Sequence, residues 1–187
     1  MKIKKIVDLC KKRGMVYIIS DAEGGGVQWL GDGAAFYPLF DAPRFDKESL
    51  CTIFDINEVQ AEKILFRIED KLPVSFNFDN NDECESFADE SEIHIIYGGR
   101  TLRPIHTDEG IVFLNVKYLA PLSDADNVEI YKRYSTGDTV YFVAKVGYEV
   151  QAVIMPVDIM DKGFMESVDR LASHSAIAFK NKERTEK

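Results

Sequence analysis

The chain has 187 residues, 45% of them hydrophobic, and a formal net charge of −9 at pH 7. This length allows one well-buried core but is short for two full domains, so we expect a single domain over 1–187. No stretch approaches the ~18 apolar residues of a membrane-spanning helix, and the first residues lack the apolar core of a signal peptide. We therefore expect a soluble, cytoplasmic protein with no membrane partner.

The charges are unevenly distributed along the chain. Residues 1–13 contain six bases and one acid, so the rest of the chain is more acidic than the whole. A surface that binds nucleic acid would therefore be local. The three cysteines are odd in number and far apart in the sequence. This pattern is typical of reduced thiols in a cytoplasm.

The first unit, 1–40, begins with a short amphipathic helix at 2–13. Ile3, Ile6 and Cys10 recur at helical spacing, and Gly14 occupies the position of a C′ residue. Three runs rich in β-forming residues follow, separated by glycines, and they predict an antiparallel meander. These runs are 15–20, 27–30 and 34–39.

Four aromatic residues on these strands have two interpretations. Tyr17, Trp29, Phe36 and Tyr37 could form an exposed surface on which single-stranded nucleic acid stacks. Aromatic residues on alternating strands more often fill a core or pair across strands. The acidic surroundings also oppose a phosphate backbone, so we favour the core.

An insertion at 41–92 starts with a helical pattern. Leu50, Ile53 and Phe54 predict one short helix. Asn57 is the expected N-cap of a second helix, whose apolar side chains continue to Ile68.

The second half of the insertion is predicted to be a strand and an acidic loop. The run 73–78 alternates between apolar and polar residues, as a strand does. Residues 79–92 contain seven acids and no base. This composition predicts a solvated, mobile loop.

The second unit, 93–157, begins with a predicted hairpin about Gly98 and Gly99. A strand, a helix-like turn and three further strands follow, at 110–116, 117–122, 127–134, 139–146 and 149–157. A C-terminal helix at 158–180 and a frayed tail at 181–187 complete the chain. Because one helix followed by three strands occurs in both units, we predict an α+β fold of two related units with antiparallel sheets, a helical insertion and an extra C-terminal helix.

The second unit also carries the pattern of a known family. A strand ends in F-N-x-K-Y-L, an acidic loop leads into a V-x-I strand, and the unit ends in V-I-M-P. The residues are Phe113, Asn115, Lys117, Tyr118, Leu119, Asp126, Val128, Ile130, Val153, Ile154, Met155 and Pro156. Residues 110–157 thus resemble the last domain of the bacterial sliding clamp, the beta subunit of the replicative DNA polymerase. The resemblance implies a DNA-clamp-like fold of two βαβββ-type units.

The resemblance implies two sites. In clamps, paired helices line a ring around DNA and contact phosphates without reading the sequence. The corresponding candidates are Lys4, Lys5, Lys11, Lys12 and Lys117. The last strand of a clamp contributes to a hydrophobic pocket for partner peptides, and the residues carried over are Val153, Met155, Pro156 and Val157. A clamp ring contains six such domains, so a one-domain chain would form a homo-oligomer to encircle DNA.

The expected function is that of a non-enzymatic, sliding-clamp-like scaffold. The whole chain is also similar to uncharacterised proteins of phages and conjugative elements, which implies a mobile genetic element as its context. The expected partners are double-stranded DNA, bound non-specifically, or replication and recombination proteins. Two alternatives stay open: a clamp-fold module that binds proteins but not DNA, and an enzyme of unrecognised type.

The sequence contains no recognisable catalytic or metal-binding motif. His94, His106 and His174 share no metal-ligand spacing with one another or with a cysteine. No nucleophile elbow, phosphate-binding loop or pair of catalytic carboxylates stands out. Arg100 and Arg103 could contact phosphate, but a polar hairpin tip explains them equally well. We therefore expect no enzymatic activity, no metal and no cofactor.

Overall fold

The computed structural model describes residues 2–20, 26–107 and 110–185. The chain divides into two compact units, 1–157 and 158–187. The larger unit contains three α-helices, a 3₁₀ helix and twelve strands within the described residues. The helices are α1 (Ile3–Arg13), α2 (Lys47–Ile53), α3 (Glu58–Ala61) and the 3₁₀ helix Val116–Leu122. The strands are β1 (Met15–Ser20), β2 (Gln28–Gly31), β3 (Ala35–Leu39), β4 (Leu65–Glu69), β5 (Ser86–Phe87), β6 (Asp89–Glu90), β7 (Ile95–Tyr97), β8 (Arg100–Thr107), β9 (Gly110–Asn115), β10 (Val128–Tyr134), β11 (Val140–Val146) and β12 (Glu149–Ile154).

An eight-stranded sheet organises the larger unit, with strand order β4-β1-β2-β3-β12-β11-β10-β5. Its neighbouring strands are antiparallel, except that β4 runs parallel to β1. The meanders β1–β3 and β10–β12 join where Phe36 of β3 pairs with Val153 of β12. The α+β class with antiparallel sheets is thus confirmed, whereas the clamp-like fold stays a prediction.

A smaller sheet is built around β8, which pairs with β6, β7 and β9. The hairpin predicted about Gly98 and Gly99 is observed, because Tyr97 pairs with Arg100 across these two glycines. Both glycines have positive φ, at 56° and 72°. Such values favour glycine in a two-residue hairpin turn. β9 then leads directly into the 3₁₀ helix.

Apolar side chains cover both faces of the large sheet. On one face, Ile6, Val7 and Cys10 of α1 contribute to a core that also contains Phe142 of β11. On the other face, Tyr141 of β11 contributes to a second core. Strand β3 is buried along its whole length, because its successive side chains point to opposite faces and both faces are covered.

Helix α1 forms as its sequence predicts. Its buried residues recur at helical spacing, and Gly14 ends it with φ 71°. The Gly14 N–H donates to the carbonyl oxygens of Cys10 and Lys11, at 2.9 and 3.2 Å. A left-handed C′ glycine of this kind satisfies carbonyls that would otherwise lack a partner.

The second predicted helix of the insertion is much shorter than expected. Asn57 is the N-cap and forms a capping box with Gln60, but α3 ends at Ala61. The helix predicted to continue to Ile68 is therefore wrong, and Leu65–Glu69 is β4 instead. Pairing with β1 supplies backbone hydrogen bonds that a sequence pattern does not reveal, and Phe66 packs against the first core.

The strand predicted at 73–78 is also wrong, because this segment crosses the second core without joining a sheet. Leu72, Phe76 and Phe78 pack against that core. The Phe76 ring meets Tyr141 edge to face, with ring centroids 5.1 Å apart. Only Phe76 and Phe78 of the alternating pattern pack against this core, whereas Val74 is exposed, so the alternation does not indicate a strand here.

Two buried cations anchor the acidic segment that was expected to be mobile. Arg133 of β10 has no solvent exposure and donates to the carbonyl oxygens of Asn77 and Asp79, at 3.0 and 2.8 Å. Lys145 of β11 donates to the carbonyl oxygen of Asn80 at 2.7 Å. Most side chains of 79–92 are exposed, as expected of a solvated loop, but the backbone at 77–80 is bound by two buried charges that need partners.

Glu85 supplies the counter-charge in this cluster. Its carboxylate accepts from Arg133 Nε at 2.7 Å and forms an ion pair with Lys145. Asp82 lies 4.0 Å from the guanidinium. Beyond the anchored segment, Ser86–Phe87 and Asp89–Glu90 form β5 and β6.

The unit 158–187 contains one helix, α4 (Lys162–Thr185), within its described residues. Asp161 Oδ1 accepts from the Phe164 N–H at 2.8 Å, which places an N-cap at its start. The frayed tail predicted at 181–187 is wrong for 181–185, which are helical, and 186–187 lie outside the described residues. The last turns are rich in lysine and arginine, which are good helix formers.

Glu85→Gln should destabilise the fold by about 3 kcal/mol, because it removes the negative charge beside two buried cations. Urea unfolding followed by circular dichroism measures this loss. Glu83→Gln is the matched control, because Glu83 is exposed in the same segment. Equal stability of the two variants would show that Glu85 does not balance Arg133 and Lys145.

Candidate nucleic-acid interface

Helix α1 and the 3₁₀ helix lie side by side on the first core. The Lys2 N–H donates to the carbonyl oxygen of Pro121 at 2.8 Å. Lys5 Nζ donates to the carbonyl oxygen of Ala120 at 3.1 Å and to Ser123 Oγ at 2.8 Å. The two helices that the resemblance pairs are thus neighbours, and Lys5 helps to join them.

A buried polar network connects these helices to the large sheet. Asp32 accepts through Oδ1 from the N–H groups of Ala34 and Ala35, at 2.9 and 3.0 Å. Its Oδ2 accepts from Tyr118 Oη at 3.0 Å. Tyr37 Oη donates to the Tyr118 carbonyl oxygen at 2.7 Å. Asp32 therefore fixes both the turn before β3 and the 3₁₀ helix.

The network changes the acidity of its members. Burial raises the pKa of Tyr118 to about 12, and the charge of Asp32 and its hydrogen bond act in the same direction. Burial and then Asp32 also raise the pKa of Tyr37 and of the Cys10 thiol. These groups are therefore neutral at physiological pH. The hydroxyl groups of Tyr37 and Tyr118 serve as hydrogen-bond donors.

Four cations from three separate elements converge above this network. Lys12 and Arg13 come from the end of α1, Lys117 from the 3₁₀ helix and Arg100 from the start of β8. Burial lowers the pKa of Lys117, and the neighbouring charges of Arg13, Arg100 and Lys12 lower it further, whereas Asp32 raises it. We call Lys12, Arg13, Arg100 and Lys117 the basic face.

Each cation of the basic face is exposed, and two already have a partner. Arg13 Nη1 donates to Tyr118 Oη at 3.2 Å. Lys117 Nζ lies 4.6 Å from the centre of the Tyr118 ring. The side chains of Lys12 and Arg100 have no hydrogen bond or ion pair with any residue that the structure describes.

The five lysines that the resemblance selected have different surroundings. Lys12 and Lys117 belong to the basic face, and Lys4 is exposed on α1. Lys5 is hydrogen-bonded to the 3₁₀ helix, and Lys11 Nζ donates to the Phe54 carbonyl oxygen at 2.8 Å. Lys5 and Lys11 thus stabilise packing between elements.

Sequence reasoning left Arg13 and Arg100 out of the DNA-facing candidates. Arg13 lies in the last turn of α1, where a cation also stabilises the end of the helix, so its position alone indicates no ligand. Arg100 was equally well explained as part of a hairpin tip. It lies near Lys117 because β8 pairs with β9, which runs into the 3₁₀ helix.

The four residues carried over for a partner pocket do not form one pocket. Val153 is fully buried and Met155 packs beside it, both in the second core. Pro156 instead lines a depression with Thr107. Val157 forms an isolated bridge with Phe113 of β9. Met155, Pro156 and Val157 follow the end of β12, and the four residues contact different parts of the larger unit.

The aromatic residues of the first meander lie in the interior. Trp29, Phe36 and Tyr37 are buried, and Tyr17 is half-buried with its ring edge to face with Phe36. The interpretation as a core is confirmed for these side chains.

The three comparisons identify no relative of this chain. No family model, no curated protein and no solved structure matches it. Within the described ranges, no group of three or more His, Cys, Asp or Glu residues could hold a metal ion. None of the described helices is long and apolar enough to span a membrane. The three cysteines are free thiols.

The buried Cys10 thiol should make stability fall at alkaline pH. Unfolding exposes the thiol, which then loses its proton above about pH 8.5. A group with a raised folded-state pKa contributes its stability below its unfolded pKa and loses it above. We therefore expect the free energy of unfolding to fall between about pH 8.5 and 10, with up to about 1.4 kcal/mol per pH unit from Cys10.

Urea unfolding at a series of pH values measures this slope. Cys10→Ala should remove the contribution of the thiol, whereas Cys84→Ala should keep it, because Cys84 is exposed. The same alkaline slope in both variants would contradict the role assigned to Cys10.

Proposed function

We propose that this protein is a non-enzymatic scaffold that binds double-stranded DNA without sequence preference through the basic face. The observation that carries the proposal is the convergence of Lys12, Arg13, Arg100 and Lys117 from three elements. Like charges repel one another, so this arrangement favours an anionic partner. Duplex DNA presents closely spaced phosphates along its length, which suit several cations at once.

The proposal uses a surface set by two neighbouring helices. Backbone and side-chain hydrogen bonds hold α1 against the 3₁₀ helix, and Asp32 and Tyr118 fix the 3₁₀ helix to the sheet. The cations are therefore carried by rigid elements, while their side chains reach solvent. Contacts of this kind position a duplex but do not read its bases.

The sliding-clamp-like character of the scaffold rests on the resemblance at 110–157 and is supported by the joined meanders. A role in the replication or recombination of a mobile genetic element rests on the resemblance alone. Encirclement of DNA would need a ring-sized homo-oligomer, which sedimentation in the presence and absence of DNA would detect.

A second candidate function is a protein-binding module without DNA binding. Its support is β4, which lies at one end of the large sheet with β1 as its neighbour. Leu65 and Ile68 of β4 are 47% and 59% exposed. An open edge with apolar side chains can accept a strand from a partner.

The double substitution Lys12→Ala and Arg100→Ala should weaken binding to a fluorescent DNA duplex. Two lost phosphate contacts should lower the slope of log affinity against log salt by about 2, because fewer counterions are released. Fluorescence anisotropy across about 50 to 200 mM salt measures both changes. The effect should be the same for duplexes of unrelated sequence.

The matched control is Arg44→Ala with Arg67→Ala, which removes the same charge elsewhere. Arg44 lies before α2, and Arg67 follows Phe66 on β4, so it points away from the core that α1 covers. This control should keep the affinity and the salt slope of the unaltered protein. Equal effects of the two double variants would contradict a specific basic face. Absence of duplex binding at low salt would contradict DNA binding and favour the second candidate function, the protein-binding module.

A further inference from the structure

Helix α4 presents an apolar stripe that has no partner inside its own unit. Met165, Val168, Leu171, Ala172 and Phe179 recur at the spacing of one helix face. Leu171 and Phe179 are 69% and 64% exposed. Within 158–187, the structure describes no other helix or strand that could cover this stripe.

The exposed stripe leaves α4 without its main source of stability. The helix has 24 residues, and most of the stability of a helix in a protein comes from packing of its apolar face. A stripe of this kind is the usual docking face of a second helix.

The charges of α4 are asymmetric along its length. The first half of the helix, 162–173, contains two acids and two bases, whereas the second half, 174–185, contains three bases and one acid. Two antiparallel copies would place the basic half of each beside the half of the other that contains Glu166 and Asp169. Parallel copies would place the two basic halves together, where they repel each other.

The apolar stripe and the charges indicate the same alignment. Leu171 and Phe179 lie at equal distances from residue 175, so an antiparallel pair centred there brings Leu171 of one copy beside Phe179 of the other. Asp169 and Lys180 are almost equally distant from the same centre, and both lie on one flank of the stripe. The central residues are Ala172, Ser175 and Ala176, which are small enough for close approach of two helices.

We infer that α4 pairs with α4 of a second copy of this chain in an antiparallel contact centred near Ser175. The stripe supplies the buried surface, and two Asp169–Lys180 pairs set the orientation. The inference goes beyond DNA binding, because none of its residues belongs to the basic face.

Sedimentation of the full chain over a dilution series tests the contact. The unaltered protein should show a monomer–dimer equilibrium, and Leu171→Ser should raise the dissociation constant at least tenfold. Ile177→Ser is the matched control, because Ile177 is 58% exposed but lies on the opposite side of α4. It should leave the constant unchanged.

Charge reversal tests the orientation. Asp169→Lys and Lys180→Glu should each raise the dissociation constant, by about tenfold, because each creates two repulsive contacts per dimer. The double variant should restore the original constant, because both contacts become attractive again.

Three results would overturn the inference. A monomeric unaltered protein would show that the stripe packs elsewhere or stays exposed. Equal effects of Leu171→Ser and Ile177→Ser would show that the stripe is not the contact. Failure of the double charge variant to recover would exclude the antiparallel alignment. Circular dichroism of every variant confirms that the helix content is retained.

Discussion

The junction between β3 and β12 is the interaction on which the rest of the larger unit depends. It joins two three-stranded meanders into one sheet through the pairs Phe36–Val153 and Ala35–Ile154, and the Met155 N–H adds a hydrogen bond to the Ala34 carbonyl oxygen at 2.7 Å. Because the junction unites the two meanders, the helix that precedes each one lies on the same face. The turn before β3 requires glycine, since a Cβ on Gly31 would lie 2.1 Å from the Ala35 carbonyl oxygen.

The two faces of this sheet bury charges of opposite sign. On the first, Asp32 is a buried acid whose carboxylate is satisfied by backbone N–H groups and Tyr118. On the second, Arg133 and Lys145 are buried cations that need acceptors, and Glu85 and three backbone carbonyls supply them. A buried charge is tolerated when it is paired and hydrogen-bonded. Both clusters also restrain irregular chain, because the partners of each charge come from loops and turns.

Local signals in the sequence predicted the elements that depend on local interactions. The C′ position of Gly14, the N-cap at Asn57 and the turn at Gly98–Gly99 are confirmed, because neighbouring residues determine each one. The elements that were predicted wrongly depend on distant partners: β4 needs β1, and the segment before Glu85 needs cations about fifty residues further along the chain. The same holds for the candidate site. Lys12 and Lys117 followed from the resemblance, whereas the place of Arg100 depends on strand pairing.

The overall acidity of the chain is compatible with a local basic face, because the large sheet separates the charges. Tyr141 and Phe78 lie in the second core and Phe142 lies in the first, so Asp79–Glu85 and α1 are on opposite sides of the sheet. Packed layers are roughly 10 Å apart, and exposed charges are largely screened beyond about 8 Å at physiological ionic strength. The acids of this segment therefore contribute little to the field at Lys12 and Arg100. At lower salt the charges of these acids act over a longer distance. Their repulsion of the DNA phosphates then partly offsets the stronger attraction between the basic face and the phosphates.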